Sequence, residues 1–445
     1  MSIIAIKSRT VVCRFLFTLL LTSLISCEDF IGGEITKDPN SIHEPNLSLL
    51  LPSVQVKIAD TYGGFHSRVN CSHVQHVEPV LRSISYSGLF AEPERFNDPW
   101  NNFYASIFIE LNTIQSEASY NGFNHYLAIA NILKAFSTMM ATDVWGDIPY
   151  KEAGLGIKNI YPKFDSQVSI YLEIHNLLDE AVILLNESSG GLPPLNNDLI
   201  YAGDESKWIK AAYAIKSRAY LHFDDYENAL LNAQLSFSDR SENMRLVYPG
   251  TVHPAPWYKH NETRTGDFEF SPTLRNLMQS LNDTVRLSQI DVPFNTNHPY
   301  LISNFGVDLI SFREIQFIIA EAGLETPLSD LEVHTAYLNG IDASFQELNL
   351  GSNSAAYQDY ISDNGVDPGI GQITLSHVLL QKHISLFLQP ESYSDWRRRN
   401  IPTLLPPTGP AIPVRWPYSK ASLEFNKNAP PNPDIYTERV FWDKD

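Results

Sequence analysis

The sequence predicts a mainly α-helical protein, in which paired helices alternate with long irregular, loop-rich regions and few short strands. Apolar residues recur at spacings of three and four along several segments, while the strict alternation typical of strands is scarce. Clusters of Gly, Pro and Asn separate the helical segments, often into pairs. Because 43% of the 445 residues are hydrophobic, the chain can bury a large core.

Each predicted helix has a continuous apolar stripe. In the first, over 126–142, Leu127, Ala130, Leu133 and Phe136 lie on one face. The same spacing predicts further helices over 168–185, 207–223, 225–236, 312–323, 330–348 and 374–389. Such pairs are typical of α-helical hairpin arrays, although no fixed sequence period demonstrates a repeat.

Long irregular stretches separate these helices at 186–204, 240–305 and 400–445. They are rich in Pro, Asn, Asp and aromatic residues. Structureless loops of this length are uncommon in a compact domain and usually carry function or are disordered. Their Trp and Tyr content argues against disorder, so we expect functional loops with at most short hairpins.

The first 26 residues are typical of a secretory signal. They contain Lys7, Arg9 and Arg14, no acidic residue, and an apolar run over 15–21 that is too short to span a bilayer. The tetrad that ends at Cys27, Leu-Ile-Ser-Cys, resembles a bacterial lipobox. We therefore expect cleavage of residues 1–26 and a lipid anchor on Cys27. The alternatives are a signal that happens to end near a cysteine, or a single apolar anchor.

Charge and cysteine content exclude two classes of protein. Loss of the three basic residues in 1–26 takes the net charge from −19 to −22, and such a surface repels nucleic acid. Of the three cysteines, Cys13 is expected to be cleaved away and Cys27 acylated, which leaves Cys71 alone. A disulfide framework and a nucleic-acid partner are therefore not expected.

Several motifs follow one another in a fixed order. Residues 143–153 read D-V-W-G-D-I-P-Y-K-E-A, and 162–181 continue with P-K-F-D-S-Q, I-Y and L-D-E-A. Later landmarks are Gly203-Asp204, Trp208, Ile215 to Arg218, Glu314, Ala320 to Ala322, Tyr337, Gly340-Ile341, Ser344, Gln381-Lys382, Asp395 to Arg398 and Ile412 to Arg415. Together they resemble the SusD/RagB-like nutrient-binding lipoproteins of Bacteroidota over roughly 27–445, although each motif alone is weak.

This resemblance implies a single SusD-like domain over 27–445 with a tetratricopeptide-like helical scaffold. It implies a loop-rich face that binds glycans or other oligomeric nutrients such as peptides, and delivery to a TonB-dependent SusC-like transporter. It also implies a lipid-anchored place in the outer membrane. The acidic pair Glu28-Asp29 resembles a surface-export signal, which would place the protein on the cell exterior.

Sugars present apolar faces and hydroxyl groups, so exposed aromatic residues beside Asn, Asp or Arg form a suitable platform. The stretch 84–104 and the segments near 62 and 257 have this mixture. The candidate contacts are Tyr86, Trp100, Asn101, Trp257, Tyr258 and Tyr62. Trp100 with Tyr104 also resembles a W-x-x-x-Y landmark of the family, which favours a packing role. The landmarks Trp208, Arg218 and Trp396 are expected to serve packing and buried ion pairs.

No catalytic motif is found: G-x-S-x-G, P-loop, H-E-x-x-H and C-x-x-C patterns are all absent. Cys71, His73 and His76 have metal-binding chemistry, but structural zinc sites normally offer four ligands. We therefore expect no enzyme, cofactor or metal. Two alternatives to a binding protein stay open: a lipid-anchored glycan hydrolase, which needs two carboxyl groups about 5–10 Å apart, and a structural or adhesive surface subunit.

Overall fold

α-Helices dominate the chain, which confirms the predicted fold class. The computed structural model describes residues 46–81, 91–191, 193–351, 354–407 and 409–444. In the first half, the helices are α1 (Leu47–Asp60), α2 (Ser67–His73), α3 (Asn97–Asn101), α4 (Ile109–Asn121), α5 (Asn124–Trp145), α6 (Gln167–Leu185), α7 (Glu205–His222) and α8 (Tyr226–Gln234). In the second half, they are α9 (Pro256–Thr263), α10 (Pro272–Ser280), α11 (Thr284–Ile290), α12 (Phe312–Leu324), α13 (Asp330–Glu347), α14 (Ala355–Ile361), α15 (Leu375–Ser385), α16 (Glu391–Arg399) and α17 (Lys420–Phe425).

The remaining elements are short. Two π-helical segments cover Thr61–His66 and Asn102–Phe108, and 3-10 turns cover Pro93–Phe96, Gly156–Lys158 and Arg240–Glu242. The strands are β1 (Val77–Pro79), β2 (Ile148–Pro149), β3 (Phe164–Asp165), β4 (Met244–Leu246), β5 (Phe268–Phe270) and β6 (Val307–Ile310). They form three antiparallel pairs, β1 with β5, β2 with β3 and β4 with β6.

Consecutive long helices pack against each other, as α5 with α6, α7 with α8 and α12 with α13. Local sequence sets their ends. Gly146 takes φ 75° after the last residue of α5, where a left-handed backbone favours glycine. Asp204 caps α7 by accepting a hydrogen bond from the Lys207 amide, and a capping box of Ser329 and Glu332 begins α13. From Leu47 onward the described residues form one compact unit.

Two of the predicted irregular stretches contain regular structure. Residues 240–305 hold α9, α10 and α11 with β4 and β5, and residues 400–445 hold α17. Each of these helices has at most nine residues, which is shorter than the window in which a helical period can be recognised. The local signal is a proline at the first position, Pro256 in α9 and Pro272 in α10, where its fixed φ suits a helix start. Within the described part of the chain, no helix is long and apolar enough to cross a membrane.

A buried ion pair joins α7, α12 and β6. The guanidinium of Arg218 donates to both carboxylate oxygens of Glu314, each at 2.7 Å, and to the carbonyl of Leu309 at 3.0 Å. Burial alone would lower the pKa of Arg218, but the carboxylates of Glu314 and Glu391 raise it well above its usual value. Arg218 therefore holds three elements together as a permanent cation.

A second buried network surrounds His222. Its Nε2 lies 2.7 Å from Oε1 of Glu391, and its Nδ1 lies 2.7 Å from the hydroxyl of Tyr171, which donates to Asp143. The indole of Trp442 donates to Asp143 at 2.9 Å and stacks on His222 with ring centroids 4.8 Å apart. This network fastens the last turn of the chain to α5, α6, α7 and α16.

The His222 network predicts a fall in stability at alkaline pH. Burial opposes the charge on His222, but Asp143 and Glu391 on both sides raise its pKa to about 9. A raised pKa in the folded state stabilises the protein below the unfolded value of about 6.5, and this contribution disappears as pH rises through 9. We expect a loss of about 3 kcal/mol from this group between these two values, measured as the unfolding free energy in urea.

The variant His222→Gln isolates this effect. Lys134, whose pKa burial lowers to about 8, titrates in the same range with the opposite sign, and comparison of the two proteins cancels it. The stability gap between wild type and His222→Gln should be widest below pH 6.5, shrink as the pH rises from 6.5 to 9, and be smallest above pH 9. A gap that stays constant from pH 6 to pH 10 would show that His222 is not charged in the folded protein.

Candidate ligand-binding site

Segments that the sequence singles out around Tyr62, Trp100 and Trp257 meet at one place in the structure. There, the end of α1 with the first π-helix, the segment 93–102, and α9 surround a cleft of about 830 Å³. We call it the polar cleft. Its lining consists of Asp60, Thr61, Phe65, Arg68, Glu94, Arg95, Asp98, Pro99, Asn102, His260 and Arg264. Its volume is in the range of ligand sites, roughly 300–1,000 Å³.

The first π-helix forms one wall of the polar cleft, and its close packing against β6 holds it in this position. A Cβ atom at Gly63 would lie 2.5 Å from the side chain of Val307, so this approach requires a glycine. Tyr62, the residue before it, points into the core, where its ring meets Phe136 edge-on at 5.1 Å. With 4% of its surface exposed, Tyr62 is a core residue, which corrects the expectation of an exposed contact.

At the floor of the polar cleft, the carboxylate of Asp60 is held on both oxygens. It accepts hydrogen bonds from the hydroxyl of Tyr248 and from Nε2 of His253, each at 2.8 Å. Burial and the neighbouring Asp60 together raise the pKa of Tyr248, which therefore stays a neutral donor. Asp60 is thus a fixed acceptor with its charge partly satisfied from within the protein.

A second cavity, of about 410 Å³, lies on the other side of α3. We call it the apolar cavity. Its lining consists of Trp100, Asn101, Tyr104, Ala105, Ile109, Pro149, Ala153, Gly154, Ile160, Pro162, Ala421, Ser422, Phe425 and Asn426. Phe425, with 73% of its surface exposed, and Ile160, which is also exposed, stand at its rim. Exposed apolar residues grouped around a cavity are typical of binding surfaces.

Trp100 is largely buried, with 7% of its surface exposed, but it lines the apolar cavity. Its ring packs against Tyr104 at 4.8 Å and edge-on against Trp145 at 5.0 Å. The hydroxyl of Tyr104 donates to the carbonyl of Pro149 at 2.8 Å. The W-x-x-x-Y landmark therefore packs α3 against β2 and at the same time gives the cavity an aromatic wall.

Asn101 and Asn102 are consecutive, exposed residues at the junction of α3 and the second π-helix. Asn101 lines the apolar cavity and Asn102 lines the polar cleft. Among the described residues, neither side-chain amide has a hydrogen-bond partner. Each amide can therefore donate to and accept from a sugar hydroxyl without breaking a contact of the fold.

Trp257 and Tyr258 lie in the first turn of α9, but neither lines either cavity. Trp257 is 6% exposed, and its indole donates to the Ser67 hydroxyl at 2.8 Å, so the expectation of an exposed contact is corrected here too. Tyr258 is half-buried. His260 and Arg264, farther along the same segment, line the polar cleft. The sequence did not predict that His260 and Arg264 face the cleft, because a helix of eight residues is too short to show which side is exposed.

Two predicted residues, Tyr86 and Cys27, lie outside the described residues. Cys71 is buried, and burial raises the pKa of its thiol to about 12, so it is not a thiolate at neutral pH. In the described ranges, Cys71, His73 and His76 belong to no group of three or more residues that could hold a metal ion.

A helical-hairpin scaffold with loop-built cavities is the architecture of nutrient-binding receptors of the SusD/RagB type. Residues 39–298 and 284–419 match the profile of the SusD-like family described as starch-binding and associating with the outer membrane. The chain therefore belongs to the SusD-like family. No curated protein matches the sequence.

Solved structures share the fold. One is a SusD/RagB family protein from Bacteroides thetaiotaomicron, with 21% identity, 90% of this chain and 99% of that chain covered, and a TM-score of 0.72. Another is a chitin-binding protein, with 21% identity, 90% and 100% coverage and a TM-score of 0.74. A third is a chitin-binding SusD homolog from Flavobacterium johnsoniae, with 18% identity, 90% and 96% coverage and a TM-score of 0.69. At these identities the likeness establishes the fold alone.

Proposed function

We propose that this protein is a lipid-anchored outer-membrane receptor that captures oligosaccharides at α3 and delivers them to a TonB-dependent, SusC-like transporter. The observation that carries the proposal is the pair of cavities on the two sides of α3. One offers aromatic and aliphatic walls, and the other offers carboxylate, amide and guanidinium groups. A sugar has apolar ring faces, which can pack on the apolar walls, and polar edges, which can form hydrogen bonds with the polar groups.

The anchor and the transporter belong to the same proposal. Acylation of Cys27 would fix the protein to the outer membrane, because each buried methylene contributes about 0.8 kcal/mol and several chains act together. Glu28-Asp29 supports export to the cell exterior. A receptor held beside a transporter raises the local concentration of nutrient at its entrance, which is the benefit of a tether.

The hydrolase alternative finds little support in the acidic residues of the polar cleft. A general acid for glycoside cleavage needs a raised pKa. The hydrogen bond from Lys420 instead lowers the pKa of Glu94. Asp60 is held by Tyr248 and His253, as a structural acceptor would be. We therefore propose binding without turnover, and release of shortened sugars from a pure glycan by the pure protein would contradict it.

The binding site is tested with two surface variants. The mature chain, with Cys27→Ser to keep it free of lipid, is titrated with maltooligosaccharides and chitooligosaccharides, because the family is described as starch-binding and two related structures are chitin-binding. We expect Phe425→Ala and Asn101→Ala each to weaken binding about tenfold, through lost stacking and lost hydrogen bonds. Both side chains are exposed, so the fold should survive.

Tyr258→Ala is the matched control, since it removes an aromatic residue outside both cavities. It should bind as wild type does. Equal affinity in all four proteins would remove α3 from the site, and the absence of binding to any glycan or peptide on a broad array would favour the structural or adhesive subunit.

A further inference from the structure

The polar cleft brings three arginines together on a strongly acidic protein. The chain carries 51 acidic and 32 basic residues, yet Arg68, Arg95 and Arg264 all line this one cleft, together with His260. They come from different elements: Arg68 from α2, Arg95 from the 3-10 turn, and Arg264 from the residue after α9. The fold thus gathers cations that are distant in sequence.

Two of the acidic residues in the polar cleft are satisfied by groups of the protein. Asp60 accepts from Tyr248 and His253 at 2.8 Å each. Glu94 accepts from the ammonium group of Lys420 at 2.5 Å. Lys420 neutralises Glu94, whereas Tyr248 is a neutral donor and leaves Asp60 its charge. Three arginines of the lining therefore stand against two carboxylates, Asp60 and Asp98, so the net charge that the polar cleft offers a ligand is positive.

Arg95 and Arg264 are the cations best placed to meet a ligand. Both are exposed, and neither takes part in an ion pair among the described residues. A guanidinium presents a planar fork of donors that matches the two oxygens of a carboxylate. A neutral sugar offers no anionic partner of this kind, so two such groups in one cleft favour an acidic ligand.

We propose that the polar cleft selects oligosaccharides that carry carboxylate groups, that is, chains containing uronic acid units. This inference rests on the proposed function, because it names the class of glycan that the site takes. The net negative charge of the protein does not oppose it at the site itself. At physiological salt, charges more than about 8 Å apart are largely screened, so the nearby arginines dominate.

The test compares one sugar chain with and without its charge. The mature chain with Cys27→Ser is titrated by calorimetry with oligogalacturonate, with its fully methyl-esterified form, and with a neutral maltooligosaccharide. We expect the free acid to bind at least tenfold more tightly than the ester. The double variant Arg95→Gln, Arg264→Gln should lose about tenfold in affinity for the acid and nothing for the ester.

Lys259→Gln is the matched control, because it removes an exposed positive charge from α9 outside the polar cleft. It should bind the acid as wild type does. Equal binding of acid and ester, or undiminished binding of acid by the double variant, would overturn the inference. Binding of the neutral chain alone would overturn it and leave the proposed function standing. Binding of an acidic peptide with no glycan bound would overturn both.

Discussion

Replacing Trp442 by alanine is expected to lower the free energy of unfolding by about 3–5 kcal/mol. This side chain lies three residues from the end of the chain, yet only 2% of its surface is exposed. It donates to Asp143, stacks on His222, and lies under the guanidinium of Arg397 with 4.5 Å between that group and the ring centroid. Its removal leaves a large cavity and a carboxylate with one hydrogen bond fewer.

Phe441 provides a matched control, since it is the neighbouring aromatic residue and 59% of its surface is exposed. Phe441→Ala should change the free energy of unfolding by less than about 1 kcal/mol. Chemical denaturation of the three proteins measures both effects. A loss below 1 kcal/mol in Trp442→Ala would mean that the C-terminal turn detaches readily and is not part of the core.

Replacing Arg218 by methionine is also expected to lower the free energy of unfolding by about 3–5 kcal/mol, because it leaves the buried Glu314 without its cation. Three hydrogen bonds from Arg218, to Glu314 and to the carbonyl of Leu309, are lost at the same time. Methionine fills much of the volume, so the loss reports charge and hydrogen bonding more than packing. Urea denaturation at neutral pH measures it.

The double variant Arg218→Met, Glu314→Met is the control for this interpretation. It removes both charges, and Glu391, which lies 3.6 Å from Arg218, keeps His222 as a partner at 2.7 Å. We expect the double variant to be more stable than Arg218→Met alone, because no uncompensated carboxylate remains at position 314. Additive losses in the double variant would show that the pair contributes little as a pair.

The long helices could be predicted from the sequence because each one carries its own signal. The predicted segment 312–323 corresponds to α12, and 330–348 corresponds to α13, within one residue at each end. Each has enough turns for an apolar stripe to repeat, and caps such as Ser329 mark the starts. The short helices of 240–305 have too few turns to show a period, so tertiary packing defines them.

The sequence could predict which residues form buried polar contacts, but not which residues are their partners. The motifs predict packing and ion-pair roles for Trp208, Arg218 and Trp396, and the structure places all three in the interior. Glu314, the partner of Arg218, lies 96 residues away, and one sequence alone does not connect two such positions. Glu391 belongs to none of these motifs, yet it begins α16 and is buried against His222.

The candidate site shows the same limit on a smaller scale. The segments around Tyr62, Trp100 and Trp257 do come together, but Tyr62 and Trp257 turn inward. Large aromatic residues contribute most when they are buried, so a conspicuous Tyr or Trp is often part of the core beneath a site. The groups that line the polar cleft are their less conspicuous neighbours, such as Phe65, Asn102 and His260.

The neighbouring positions of Asn101 and Asn102 have a consequence for polymers. Consecutive Cα atoms are about 3.8 Å apart, so the apolar cavity and the polar cleft begin within a single residue of each other. A glycan long enough to cross α3 meets the second cavity at a high effective concentration once the first is filled. Affinity should then rise steeply with chain length until both are occupied and level off beyond it. Such avidity would favour intact polymer over the short fragments released by its degradation.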